Sequence, residues 1–333
     1  MAKTDLEKLK GRFIFCNHGE YITLHDKHLY IFRSNGELLA ARKDIRCPHI
    51  AILLPNDRLL VTGSQMLYRV ISLKDGSDLW SIPMAKSDSG SICLAFDQIS
   101  NTVYDYSYDC NYRRDADYIT KMDLEAKTRE TYELKRDLRA THDILCDESG
   151  ILCILQSHGC NVGGVYTSVN GVRYSSSESI QGPGSAYDWK YLWLSKGEKS
   201  AKCFLGNTDT ILTDDLFVYS PGTNEQYYLL ENDPQFRIPT GTMFSEAAID
   251  DSGKYVIVKW NAGRTHTCVI VDYQARKGVA RYSGEYVDIC LVGNEVWLST
   301  PDGIQRLPFP LIQEIQPDRY VFWGEQGSGF RKT

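Results

Sequence analysis

Long hydrophobic runs are missing from this chain of 333 residues. A transmembrane helix needs about 18 or more consecutive apolar residues, and no stretch approaches that length, so the sequence predicts no membrane partner. The first residues, MAKTDLEKLKGRF, are charged and lack the apolar core that a secretory signal peptide requires. We predict that residues 1–10 form a short N-terminal arm.

An excess of basic residues is also absent. The chain has 37 Lys and Arg against 43 Asp and Glu, which gives a net charge of -6. A protein that binds a phosphate backbone normally presents a basic face, so this composition argues against a nucleic-acid partner.

The motifs of several enzyme and cofactor classes are missing as well. The chain contains no CxxC pair, no Cys/His group with zinc spacing, and no GxxxxGK[ST], GxSxG, SxxK or HExxH sequence. We therefore assign no catalytic residue and expect neither a cofactor nor a metal. Ten cysteines are present, and most lie inside apolar runs, as Cys93, Cys146 and Cys268 do. Reduced cysteine behaves as a small buried hydrophobe, so this placement predicts a reducing cytoplasm.

Short strands cut by turn residues are what the sequence does contain. Residues 245–282, SEAAIDDSGKYVIVKWNAGRTHTCVIVDYQARKGVARY, indicate four strands separated by DSGK, NAGR and QARK turns. Strand-length runs interrupted at even spacing by Gly, Asp and Asn are typical of an antiparallel meander. Residues 49–82 repeat this pattern, with turns at PNDR, GSQ and KDGS. Copies of one unit along a chain indicate a repeat architecture.

The repeat predicts an all-β, seven-bladed β-propeller of four-stranded antiparallel blades. The units begin at residues 12, 49, 91, 143, 188, 245 and 288. Six blades are the rival count, if the irregular fifth unit is an insertion. The fourth strand of the seventh unit is expected either among the last residues or from the N-terminus. We place a single domain at residues 11–323 and a flexible tail at residues 324–333.

Two segments carry a resemblance to known repeats. VISLKDGSDLWSI, residues 70–82, is similar to the outer half of a WD40-like or quinoprotein-like propeller repeat, in which two strands flank a D-G turn. DESGILCIL and DDSGKYVIV look like the inner hairpin of the same superfamily. The GH…WD pairs of WD40 repeats and the metal and quinone ligands of quinoprotein dehydrogenases have no match. The resemblance implies the propeller fold and a bias toward binding, without an active site.

Polar residues near the start of each innermost strand are the candidate channel mouth. They are Arg12, His49, Ser91, Asp143, Asp188, Glu246 and Asp288. Four consecutive acids on one half of this ring predict a polarised funnel for a cation, an amine or a basic side chain, because converging carboxylates mark functional sites. The alternative is structural, since the first residue of a strand leaves the core and is usually polar.

The third unit contributes a second candidate, the loop YDYSYDCNYRRDADY at residues 104–118. Tyr and Arg are enriched at interface hot spots, which points to the loop tip at Tyr112, Arg113 and Arg114. Alternatively, the alternating tyrosines before the tip pack between blades, and only the tip meets solvent.

These features favour a non-catalytic scaffold that binds a protein or peptide on the connector face and the channel mouth. Two other classes remain open. One is a hydrolase or lyase that uses the mouth carboxylates on a carbohydrate or small amine, and the other is a sensor of a small ligand or Ca²⁺.

Overall fold

A computed structural model describes residues 6–18, 21–84, 91–109, 116–134, 141–147, 150–156, 163–168, 189–193, 201–205, 208, 210–213, 216–220, 223, 225–233, 243–250, 252–285 and 287–309. The chain divides into two compact units. Unit 1 comprises residues 1–47, 73–76 and 227–333, and unit 2 comprises residues 48–72 and 77–226.

Unit 1 contains a short 3-10 helix, Leu6–Lys8, and three antiparallel sheets. Sheet 1 consists of β1 (Arg12–His18), β2 (Tyr21–His25), β3 (Leu29–Arg33) and β4 (Leu38–Arg42). Sheet 6 consists of β21 (Met243–Ile249), β22 (Tyr255–Ala262), β23 (Thr265–Asp272) and β24 (Lys277–Glu285). Sheet 7 consists of β25 (Asp288–Val292), β26 (Glu295–Thr300) and β27 (Gly303–Pro308).

Unit 2 contains the other four sheets, apart from the last residues of β20. Sheet 2 consists of β5 (Pro48–Leu54), β6 (Arg58–Gly63), β7 (Leu67–Ser72) and β8 (Asp78–Pro83). Sheet 3 consists of β9 (Ser91–Asp97), β10 (Thr102–Asp109), β11 (Ala116–Asp123) and β12 (Thr128–Leu134). Sheet 4 consists of β13 (Thr141–Asp147), β14 (Gly150–Gln156), β15 (Gly163–Ser168) and β16 (Trp189–Trp193). Sheet 5 consists of β17 (Ala201–Phe204), β18 (Ile211–Thr213), β19 (Phe217–Ser220) and β20 (Glu225–Tyr228).

Tight turns produce these meanders. At the PNDR turn three residues separate the paired Leu54 and Arg58, and two of them, Asn56 and Asp57, have positive φ, 63° and 54°, a conformation that Asn and Asp tolerate better than most residues. At the DSGK turn the Asp250 carboxylate accepts hydrogen bonds from the backbone N–H of Ser252 and Tyr255. Asp and Asn form such local bonds readily, which explains why they mark the turns in the sequence.

Each unit has its own hydrophobic core. In unit 1, Phe32 of sheet 1 packs edge-on against Trp297 of sheet 7, with ring centroids 6.1 Å apart, and both side chains are buried. A second cluster joins sheet 6 to sheet 7 through residues such as Ile270 and Leu298. In unit 2, the core between sheets 2 and 3 includes Val70.

First strands lie side by side within each unit. In unit 1, β25 contacts β1 and also β23 of sheet 6. In unit 2, β9 contacts β5 and β13, and β13 contacts β17. Four-stranded meanders whose first strands adjoin are the arrangement of a propeller. The prediction of an all-β propeller with four-stranded antiparallel blades is therefore confirmed. Six of the sheets are complete four-stranded blades, and six was the alternative blade count in the sequence analysis. The seventh unit has three strands in the described part of the chain.

The predicted start of the fifth unit is wrong. The strand Trp189–Trp193 was expected to open that unit, but it pairs with β15 as the fourth strand of sheet 4. Sheet 5 is complete without it, from β17 to β20. The sequence misled because residues 169–188 separate β15 from β16, so the fourth unit is much longer than the repeat period.

The 3-10 helix packs against β27, and Leu6 and Leu9 lie against the core between sheets 1 and 7.

Among the described residues we find no helix with the length and apolar character needed to cross a membrane. The predicted boundaries at residues 1–10, 11–323 and 324–333 stay a prediction.

Candidate functional site

The predicted channel-mouth residues lie in first strands with one exception. Arg12, Ser91 and Asp288 open β1, β9 and β25, whereas His49, Asp143 and Glu246 lie further inside β5, β13 and β21. The structure describes the backbone of His49, Ser91 and Asp143 but not their side chains. Asp188 lies outside the described residues, and the strand after it is β16, so its assignment to an innermost strand is corrected. The loop-tip residues Tyr112, Arg113 and Arg114 also lie outside the described residues.

A buried lysine connects two of the predicted acids in unit 1. Lys259 lies in β22, and its side chain is only 2% exposed. The Lys259 Nζ atom lies 2.5 Å from Asp288 Oδ1 and 3.5 Å from Glu246 Oε2. The lysine is therefore a bridge between sheet 6 and the first strand of sheet 7.

Strand register explains how these side chains meet. Lys259 lies directly opposite Glu246 of β21 and opposite Cys268 of β23, so the three side chains share one face of sheet 6. The register of β21 shifts between Phe244 and Glu246, an irregularity of the bulge type, which re-aims the side chains that follow it.

Asp288 is held on all sides. Its Oδ2 atom accepts a hydrogen bond from the Phe13 backbone N–H at 2.7 Å, and Oδ1 accepts one from the Ile289 N–H at 2.9 Å. Together with Lys259, these donors compensate a carboxylate that is 1% exposed. A buried charge with this set of partners ties β1 of sheet 1 to β25 of sheet 7 and to β22.

Glu246 has a different environment, because 39% of its side chain is exposed. Desolvation by the surrounding protein raises the pKa of Glu246, and the Asp288 charge raises it further. The positive charges of Lys259 and Arg12 act in the opposite direction and do not cancel this effect. Glu246 is thus the accessible end of a cluster whose centre, the Lys259–Asp288 pair, is closed to solvent.

The pKa of Lys259 reflects its partners. Burial alone would lower it, but the carboxylates of Asp288 and Glu246 outweigh burial and raise the pKa above the ordinary value. Lys259 is consequently charged at neutral pH. Burial also raises the pKa of Cys268, so this cysteine stays a thiol.

His266 completes the surroundings of the cluster. The ring Nδ1 atom lies 3.1 Å from the Val287 carbonyl oxygen. Burial, followed by the positive charge of Arg12, lowers the pKa of His266. The imidazole is therefore held in its neutral form beside Lys259 and Arg12.

Sequence reasoning found Arg12, Glu246 and Asp288 but missed Lys259 and His266. The signal for Lys259 was available: it is the single charge inside the strand YVIVKWNA, where every neighbour from Val256 to Trp260 is buried. A lysine in such a run requires an anionic partner. His266 is the second residue of β23, just after a turn, and its sequence position gave no such signal.

Unit 2 contains a buried polar pair of its own. Tyr68 donates a hydrogen bond from its hydroxyl to the Asp105 carboxylate, and both residues are fully buried. Tyr104 and Tyr106, which precede the predicted loop tip, are buried too. For these two tyrosines the structure supports packing rather than a contact surface.

No group of three or more His, Cys, Asp or Glu residues suited to a metal ion occurs within the described ranges.

No family model matches the chain, and no curated protein matches it. Among solved structures, the chain is similar to the crystal structure of the computationally designed Ika8 protein, with a TM-score of 0.54 and 11% identity over 91% of this chain and 96% of that one. At this identity the likeness shows the fold alone.

Proposed function

We propose that the chain is a non-catalytic scaffold that binds a protein or peptide, and that Glu246 is its point of contact on unit 1. One observation carries this proposal: Glu246 is the exposed end of a charge cluster whose other members already compensate one another. A partner group at Glu246 would meet a side chain whose surroundings are fixed before binding, which reduces the cost of association.

The partner group we propose is a Lys or Arg side chain. Glu246 lies 3.5 Å from Lys259, at the limit of a hydrogen bond, so the lysine orients the carboxylate without a short contact. An ammonium or guanidinium can then donate to the exposed carboxylate. Charge-assisted hydrogen bonds of this kind are stronger than neutral ones and give specificity.

The same geometry is unfavourable for the alternative classes. A glycosidase needs two carboxylates that both reach the substrate, whereas Asp288 is buried and bonded to Lys259, Phe13 and Ile289. Ca²⁺ takes about six to eight oxygen ligands, whereas among the described residues Glu246 is the one exposed carboxylate of this cluster.

The setting we propose is the reducing cytoplasm, since the five cysteines whose state the structure describes are not in disulfides. We also propose that the repeats are of the WD40-like or quinoprotein-like type, as the resemblance of residues 70–82 suggests. The loop tip at Tyr112, Arg113 and Arg114 is proposed as a second contact on unit 2.

A displayed random-peptide library tests the contact at Glu246. The immobilised wild-type chain should enrich peptides with Lys or Arg at one fixed position. Glu246→Gln should lower the affinity for the enriched peptides about ten- to a hundredfold, because a hydrogen bond to a charged group contributes roughly 1.5–3 kcal/mol.

Glu285→Gln is the matched control. Glu285 is also a partly exposed glutamate in sheet 6, and its partner Arg264 lies at the surface. If the peptides bind the Glu246→Gln variant as tightly as they bind the wild type, Glu246 is not part of the contact. A library with no enriched peptide on the wild-type chain would argue against the scaffold itself.

A further inference from the structure

Two carboxylates of unit 1 share one ammonium group. The Lys259 Nζ atom lies 2.5 Å from Asp288 Oδ1 and 3.5 Å from Glu246 Oε2. The two carboxylates are therefore close to one another, and like charges that share a site make the ionised form of each less favourable. A proton that reaches this cluster goes to the carboxylate that has the fewer bonds to lose.

Asp288 is the poorer proton acceptor of the two. It is 1% exposed, and it accepts hydrogen bonds from the backbone N–H groups of Phe13 and Ile289 in addition to its ion pair with Lys259. Hydrogen bonds to an ionised carboxylate stabilise its charged form. A proton on Asp288 would weaken all three interactions at the buried centre of the cluster.

Glu246 is the better proton acceptor. Among the described residues its side chain has one hydrogen bond, the 3.5 Å contact with Lys259. The side chain is 39% exposed, so a proton can reach it from solvent. The pKa of Glu246 is raised by desolvation and by the Asp288 charge, which agrees with this difference in bonding.

The charges around Glu246 in unit 1 depend on its own protonation. The neighbouring groups are two cations, one anion and two neutral side chains, namely Arg12 of β1, Lys259 of β22, Asp288 of β25, and His266 and Cys268 of β23. Ionised Glu246 balances the cations, whereas protonated Glu246 leaves one positive charge uncompensated. Protonation of His266 would act in the same direction, because it adds a further positive charge.

We propose that the contact at Glu246 is proton-linked: a proton and the cationic side chain of the partner compete for one carboxylate, so that acid releases the partner. This inference rests on the function proposed above and adds its regulation. Ionised Glu246 accepts charge-assisted hydrogen bonds from an ammonium or a guanidinium. Protonated Glu246 is a weaker acceptor, and the uncompensated positive charge beside it repels a Lys or Arg side chain.

The titration of Glu246 can be measured without a partner. Carbon-13 NMR of the full chain, with labelled glutamate carboxyl groups, gives its midpoint, and Glu246→Gln identifies its resonance. The midpoint should lie above 4.5, the ordinary value for glutamate. Asp288→Asn should lower the midpoint, because it removes the second carboxylate and leaves the Lys259 ammonium to Glu246 alone. Glu285→Gln is the matched control, since Glu285 pairs with Arg264 at the surface of the same sheet, and it should leave the midpoint unchanged.

Peptide binding at different pH values then tests the regulation. The probe is an enriched peptide from the library that contains Lys, has blocked termini and lacks His, Asp and Glu, so only the protein titrates near the midpoint. The dissociation constant of the wild type should rise up to about tenfold for each pH unit below the Glu246 midpoint, because one proton is taken up on release. It should stop rising where it reaches the value of Glu246→Gln. His266→Gln should retain the response at the Glu246 midpoint.

The outcomes separate the regulation from the function. If the affinity difference between wild type and Glu246→Gln stays constant across the Glu246 midpoint, the contact stands and its proton linkage is refuted. A midpoint at or below 4.5 in the wild type would refute the linkage without any partner. A library with no enriched peptide, or equal binding by wild type and Glu246→Gln at every pH, would overturn both the contact and its regulation.

Discussion

Replacing Lys259 by methionine tests the central pair of unit 1. Methionine keeps an unbranched side chain of similar length and removes the ammonium. Asp288 then remains 1% exposed and loses the partner that lies 2.5 Å away. Only the backbone N–H groups of Phe13 and Ile289 still compensate its charge.

The expected loss in the free energy of unfolding follows from the burial of both partners. Removing one member of a buried ion pair typically costs about 3–5 kcal/mol, because the remaining charge is left uncompensated. The two backbone donors to Asp288 place the expected loss at the lower end, about 3 kcal/mol. Asp288→Asn should restore part of it in the double variant, so the two substitutions should couple by about 2 kcal/mol.

Urea unfolding followed by pulsed hydrogen exchange of β22 is the appropriate assay, because it reports on unit 1 by itself. Lys254→Met is the matched control, since Lys254 is an exposed lysine on the turn before the same strand. Its ammonium lies 5.0 Å from the Tyr255 ring centroid, so a loss of no more than about a third of that for Lys259→Met is expected. Strictly additive single and double variants, or a Lys259→Met chain as stable as wild type, would refute the argument that the pair holds sheets 6 and 7 together.

Two further predictions concern the same unit. Gly303→Ala should destabilise the chain by about 2 kcal/mol or more, because φ is 133° and the new Cβ would meet the Glu7 carbonyl. Gly263→Ala is the control, because φ is 61° there and no atom lies within 4 Å. It should lower the free energy of unfolding by about 1 kcal/mol in the same urea titration. The folded pKa of His266 lies below its ordinary value of 6.5, so the unfolded state binds more protons and stability is lost as pH falls from 6.5 through the folded pKa. His266→Gln should flatten this part of the stability–pH curve, and an unchanged curve would exclude His266 as its source.

The candidate site was visible in the sequence only in part. Glu246 and Asp288 could be found because a polar residue near the start of an apolar strand is a local pattern. Their different roles could not, because one carboxylate is buried against Lys259 and the other reaches solvent, and that difference depends on which strands become neighbours. Lys259 itself required the three-dimensional contact to be understood.

Most strands, their turns and their antiparallel pairing could be predicted from the sequence, since alternation and turn residues act over a few positions. The β-meander at residues 245–282 and the PNDR turn are examples. The three-dimensional structure was needed to show that Trp189–Trp193 belongs to sheet 4 and that Lys259 of sheet 6 meets Asp288 of sheet 7. Each of these facts depends on pairing or packing between segments distant in the chain, for which the local sequence carries no signal.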